Sequence, residues 1–83
     1  MNVLIDTPKD GWSHMVSDNI KDLHIFAERI GIKKCWYNNK RGKNQPHYDV
    51  RKTKLQEAIN AGAKLVTRKE LFLFLKENYE SKK

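Results

Sequence analysis

Three short runs, "NVLI" (2–5), "KKCWY" (33–37) and "AKLV" (63–66), each precede a stretch whose apolar residues recur every three or four positions. After the first run and a polar segment, Ile20, Leu23, Ala27 and Ile30 mark one helical face, and Gly31 followed by Ile32 is a helix stop. After the second, Leu55, Ala58 and Ile59 form a stripe that ends at Gly62. After the third, Thr67 and Glu70 in "TRKE" have capping-box spacing, and Leu71, Phe74, Leu75 and Tyr79 continue the period. Ser17, with Asp18 behind it, is placed to cap the first helix, and Asp49 to cap the second. Strand and helix alternating in this way predict an α/β fold, a small three-stranded parallel sheet built from three consecutive strand–helix units, with helices covering the sheet. A chain of 83 residues supports one core. Residues 1–80 are therefore expected to form one domain with a basic loop at 38–46, and 81–83 a frayed tail.

In an open parallel sheet, ligands bind beyond the carboxyl ends of the strands, in the loops that lead into the helices. Two such loops are long, "DTPKDGWSHMVSD" (6–18) and "NNKRGKNQPHYD" (38–49). On the predicted topology they share one edge, so Asp6, His14 and Ser17 face His47 and Asp49 across a cleft. His47 and Asp49 are two apart, and in extended backbone both side chains project the same way. A histidine beside a carboxylate gains basicity and a fixed tautomer, useful for proton transfer or metal ligation. Asp6, His14, His47 and Asp49 are thus the candidate catalytic set, and a divalent metal ion is the cofactor such a set would take. No HExxH, CxxC, P-loop or GxGxxG motif accompanies it. Aspartates in loops before helices also serve as plain caps, and Asp6 has amides of its own turn to bond. His24, beside the first apolar stripe, reads as a partly buried structural histidine, and Trp12 either as a stacking platform or as a seal on the core.

The charge is concentrated. Of a net +7, residues 33–54 carry Lys33, Lys34, Lys40, Arg41, Lys43, Arg51, Lys52 and Lys54 against Asp49 alone, which accounts for the whole excess. Such a field attracts polyanions, and Trp36, Tyr37 and Tyr48 in the same segment offer flat faces to bases. Trp12, Ser17, Lys40, Arg41, Lys43, Tyr48, Arg51 and Lys52 are therefore the candidate ligand- or nucleic-acid-binding residues. A solvated loop whose lysines serve solubility is the plain reading of the same charge. The longest apolar runs are too short to span a bilayer and no secretory leader is expected, which points to the cytoplasm. One cysteine, Cys35, excludes an internal disulfide and reads as a buried, inert thiol.

The ordered set "DTP", "WSH.VSD", "LH.FA", "HYDV" and "AGA" resembles an uncharacterised family of short bacterial and phage proteins, a domain of unknown function. The resemblance covers nearly the whole chain. The stretch "NNKRGKNQP" before His47 is longer here than in that family, so the basic loop is expected to be particular to this protein. The family implies no established activity and assigns no role to any residue.

Three classes of function follow. The first is a small basic module that binds a nucleic acid or a phosphorylated ligand at the loops beyond the strands. The second is a metal-assisted phosphoesterase or nuclease using Asp6, His14, His47 and Asp49. In the third, the basic loop docks on an acidic protein surface. No membrane partner is expected.

Overall fold

The computed structural model describes residues 2–33, 36–38 and 46–80. Its elements are β1 (Val3–Asp6), β2 (Trp12–Ser17), α1 (Ile20–Arg29), β3 (Tyr37–Asn38), β4 (His47–Arg51), α2 (Leu55–Asn60), β5 (Lys64–Val66) and α3 (Arg68–Leu75). A single 3-10 turn, Lys52–Lys54, leads into α2, and a π-helical turn, Lys76–Glu80, follows α3. The strands form one five-stranded sheet in the order β3-β4-β2-β1-β5. β1 pairs with β5 in parallel, whereas β1–β2, β2–β4 and β3–β4 are antiparallel. The parallel three-stranded sheet expected from the strand–helix order is therefore incorrect.

The difference begins at residues 6–18, which the polar composition assigned to a loop. Asp10 and Gly11 have φ of 54° and 84°, so the chain reverses in a two-residue turn with both central residues left-handed. Lys9 and Trp12 exchange both backbone hydrogen bonds across it, at 2.8 and 3.1 Å. Asp-Gly is the pair that such a hairpin turn favours, because its twist matches that of the flanking strands. "WSHMVS" is thus a strand, with Ser13 and Ser17 buried beside Met15. "HYDVR" is another, so Asp49 lies mid-strand and caps no helix. Ser17 does not cap α1 either. That cap is Asn19, whose side-chain oxygen accepts from the Asp22 N–H at 3.1 Å. Of "KKCWY", Tyr37 is in β3 and Trp36 lies just before it, while Lys34 and Cys35 fall outside the described residues.

The helical expectations fare better. α1 ends in a Schellman motif, with the Gly31 N–H on the Glu28 carbonyl and the Ile32 N–H on the Ala27 carbonyl. Gly62 and Ala63 repeat it on Ile59 and Ala58. Gly31 and Gly62 take φ of 77° and 119°, a region open to glycine at little cost. The capping box of α3 is complete: Thr67 Oγ1 accepts from the Glu70 N–H at 3.1 Å, and Glu70 Oε1 from the Thr67 N–H at 3.0 Å.

Strand alternation divides the apolar residues between two cores. Val3, Ile5, Met15, Tyr48 and Val50 face α1 and α2, packing on Leu23, Phe26, Ala27 and Ala58. Leu4, Val16 and Val66 face the other way, under Leu71 and Leu75 of α3. α3 covers the β5–β1 side of that second face. Over its β2–β4 side, among the described residues, no helix packs, and Trp12, His14, Asp49 and Arg51 retain solvent exposure there. Among the described residues no helix is long and apolar enough to cross a membrane.

Candidate functional site

The antiparallel register assembles the site. His14 lies opposite Asp49, and Trp12 opposite Arg51, so four side chains of β2 and β4 project from the same open face. His47, two residues before Asp49, shares that face, and its Nε2 is 3.4 Å from Asp49 Oδ1. The rings of His14 and His47 meet edge to face with centroids 5.2 Å apart. Asp6 closes the group from the end of β1. It is fully buried; Oδ1 accepts from the His14 backbone N–H at 2.6 Å, and Oδ2 lies 3.0 Å from His14 Nδ1. Arg68, the first residue of α3, places Nε 3.8 Å from the same Oδ2.

The four residues singled out in the sequence, Asp6, His14, His47 and Asp49, do lie together, but on a different scaffold from the one expected. They meet on a sheet face, as neighbours across strands, and not in loops at a sheet edge. One donor atom each from His14, His47 and Asp49 lies within 4.8 Å of the others, a set able to hold a metal ion. If His14 donates its Nδ1 proton to Asp6, its lone pair is on Nε2, the nitrogen turned away from the buried carboxylate.

The Asp6 hydrogen bond raises the His14 pKa above its ordinary value; burial pulls the other way, the Asp6 and Asp49 charges add to the rise, and Arg68 opposes it. A raised folded-state pKa means that His14 contributes stability fully below about pH 6.5, its unfolded value, and loses it as pH climbs through the folded pKa. In metal-free protein, an NMR titration is expected to find His14 above the ordinary histidine value. Asp6→Asn is expected to lower it, since an amide NH2 cannot accept from the imidazolium. An unchanged midpoint in that variant would remove Asp6 as the cause.

Trp12 and Arg51 join a second cluster beside the first. The Arg51 guanidinium lies 5.2 Å from the Trp12 ring centre and 6.0 Å from that of Trp36, and the two indoles meet edge to face at 5.7 Å. The sequence singled out Trp36 as a flat face for bases but not its meeting with Trp12 and Arg51. Arg68 was not seen at all, because its approach to Asp6 depends on β5 pairing beside β1, which carries the start of α3 toward the end of that strand.

Other candidates lie elsewhere. Ser17 is buried at the opposite end of β2, with its Oγ bonded to Asp18 and accepting from the Asn19 N–H. Tyr48 points into the first core, its hydroxyl 2.7 Å from His24 Nδ1, which gives His24 the structural role expected of it. Lys52 is exposed on the turn after β4, and Lys54 is engaged by the Ile30 carbonyl and Glu57. Lys40, Arg41 and Lys43 lie outside the described residues.

The fold and site define a small mixed α/β protein with a histidine–aspartate cluster on the half of a sheet face over which, among the described residues, no helix packs. The chain belongs to the family described as Protein of unknown function (DUF4031), whose model matches residues 3–78. Compared with the curated proteins and with the solved structures, it gives no significant match to either.

Proposed function

We propose that this protein binds a phosphorylated ligand, a nucleotide or a nucleic acid, on the open β2–β4 half of its sheet. The observation that carries this reading is the placement of Arg51 against Trp12 and Trp36. Contact with two indoles restrains a side chain that would otherwise lose much rotamer freedom on binding, and a planar guanidinium offers two parallel N–H groups to phosphate. Arg51 is two residues from Asp49 on the same face, about 7 Å along the strand, so a phosphate held there abuts the histidine cluster. The indoles supply apolar faces of the kind on which bases stack. The net charge of +7 supplies long-range attraction.

Trp12 and Trp36 are the only tryptophans in the chain; Trp12 lies on this surface and Trp36, which packs against the first core, touches it, so intrinsic fluorescence senses a ligand bound there. Single-stranded DNA and RNA oligonucleotides and free nucleotides, titrated at low and near-physiological salt, are expected to change the tryptophan signal. Arg51→Ala and Trp12→Ala are each expected to weaken binding about tenfold, from the roughly 1–3 kcal/mol typical of such contacts. Arg51→Ala should also reduce the salt slope by about one. Lys69→Ala, on the outer side of α3, should leave affinity unchanged. Absence of binding at low salt would overturn the reading. Ligand recovered intact after incubation with divalent ions would separate it from the hydrolytic alternative.

A further inference from the structure

We propose that His14, His47 and Asp49 form a binding site for one divalent transition-metal ion of the zinc class, with Asp6 as the positioning residue that orients His14. This goes beyond the reading of the surface as a phosphate-binding face, and it stands or falls without any ligand present.

The strands bring the three donors together. His14 and Asp49 are directly opposed in the β2–β4 register, and His47 is the next residue of β4 on the same face. Bonds of about 2.0–2.2 Å to a tetrahedral ion put neighbouring ligand atoms about 3.4 Å apart. His47 Nε2 and Asp49 Oδ1 are already separated by 3.4 Å, and all three donors fit within 4.8 Å. The remaining gap is closed by small side-chain adjustments, in which Asp49, 38% exposed, is the most accessible of the three side chains while His14 is held by Asp6.

Two imidazoles and one carboxylate suit zinc, cobalt, nickel, iron(II) or manganese(II). Magnesium and calcium favour sets made of oxygen alone, and two nitrogens in three ligands disfavour them.

Asp6 supplies the outer layer that histidine ligands usually have. Its fully buried carboxylate accepts from the backbone N–H of His14 through one oxygen and holds the ring at Nδ1 through the other, which sets the ring's orientation relative to its own strand. The outward nitrogen is then the one with the lone pair. Three protein ligands leave at least one coordination position of a tetrahedral ion for water or for an oxygen of an incoming ligand. On the phosphate-binding reading that oxygen belongs to phosphate, a further step the metal site itself does not need.

The test uses the untagged 83-residue protein, stripped with chelator and titrated with zinc by calorimetry and with cobalt by visible absorption. One equivalent of zinc is expected to bind at least a hundredfold more tightly than magnesium. His47→Ala and Asp49→Asn should each weaken zinc binding at least tenfold. Asp6→Asn should weaken it 10–100-fold, because the amide reverses the His14 tautomer and puts a proton on the ligating nitrogen. His24→Gln, on the opposite face, should bind as the wild type does. Circular dichroism checks folding throughout, and in the wild type itself zinc should perturb the imidazole NMR signals of His14 and His47 but spare those of His24. No zinc binding by folded wild type would overturn the proposal. So would zinc affinity unchanged in both His47→Ala and Asp49→Asn, or perturbation confined to His24.

Discussion

Leu71→Ala is expected to destabilise the protein by about 3 kcal/mol, within the 2–5 kcal/mol range for buried leucines. Leu71 is 1% exposed and belongs to the second core, whose other buried members among the described residues are Val16, Val66 and Leu75, with Leu4 and Phe74 packed against them. So small a cluster has few neighbours able to fill the cavity, which keeps the cost above the low end of that range. Phe72→Ala is the contrast. Phe72 is the larger side chain and the next in sequence, yet it is 57% exposed, and its removal is expected to change stability by no more than about 0.5 kcal/mol. Urea denaturation of both variants decides the matter. Equal losses would mean that α3 is seated on the sheet by a different face. Because α3 also carries Arg68 toward Asp6, Leu71→Ala should loosen one wall of the histidine cluster as well.

Asp6→Ala is expected to cost about 3 kcal/mol, a large share of the stability of a domain this size. Its carboxylate serves the β2 backbone, the His14 imidazole and, at longer range, Arg68. Removing it leaves the His14 N–H without its acceptor at the end of the β1–β2 hairpin. That orphaned donor and the lost charge-assisted bond dominate the cost. Arg68 adds little, since its side chain is 38% exposed and water compensates it. Asp6→Asn keeps an oxygen for the N–H and should lose only about 1 kcal/mol. If Asp6→Ala and Asp6→Asn fall together in thermal and urea melts, the charge and not the hydrogen bond to β2 holds the hairpin end in place.

Much of the local structure was legible because local forces produce it. Of the expected α1 stripe, Leu23, Ala27 and Ile30 are buried as their spacing requires while Ile20 stays exposed, the glycines close α1 and α2, and Thr67 with Glu70 opens α3 as a capping box. What misled was polar chemistry inside strands. Ser17 and Asp49 precede helical stretches and resemble caps, but both are strand residues. Composition alone does not separate a polar strand from a loop when its partner strand, which buries one side and leaves the other open, is distant in sequence. The Asp10–Gly11 turn was the one local signal that would have revealed β2, since both residues adopt positive φ and tie Lys9 to Trp12.

The candidate site divides along the same line. Its residue types were visible, and His47 and Asp49 were rightly paired, because residues two apart in extended backbone share a side whatever the sheet around them. Their meeting with His14 and Asp6 was inferred from a parallel topology that the chain does not adopt. The sequence by itself determined where α1 and α2 end and where α3 begins, where the positive charge lies, and which side chains have ligand chemistry, for these depend on neighbours within a turn or two. The tertiary structure alone decided that β2 lies between β1 and β4, that His14 opposes Asp49, and that α3 covers one half of the sheet face while no described helix covers the other. Strand order and register arise from contacts between distant segments, chosen by which packing buries both cores at once, and no local propensity encodes that choice.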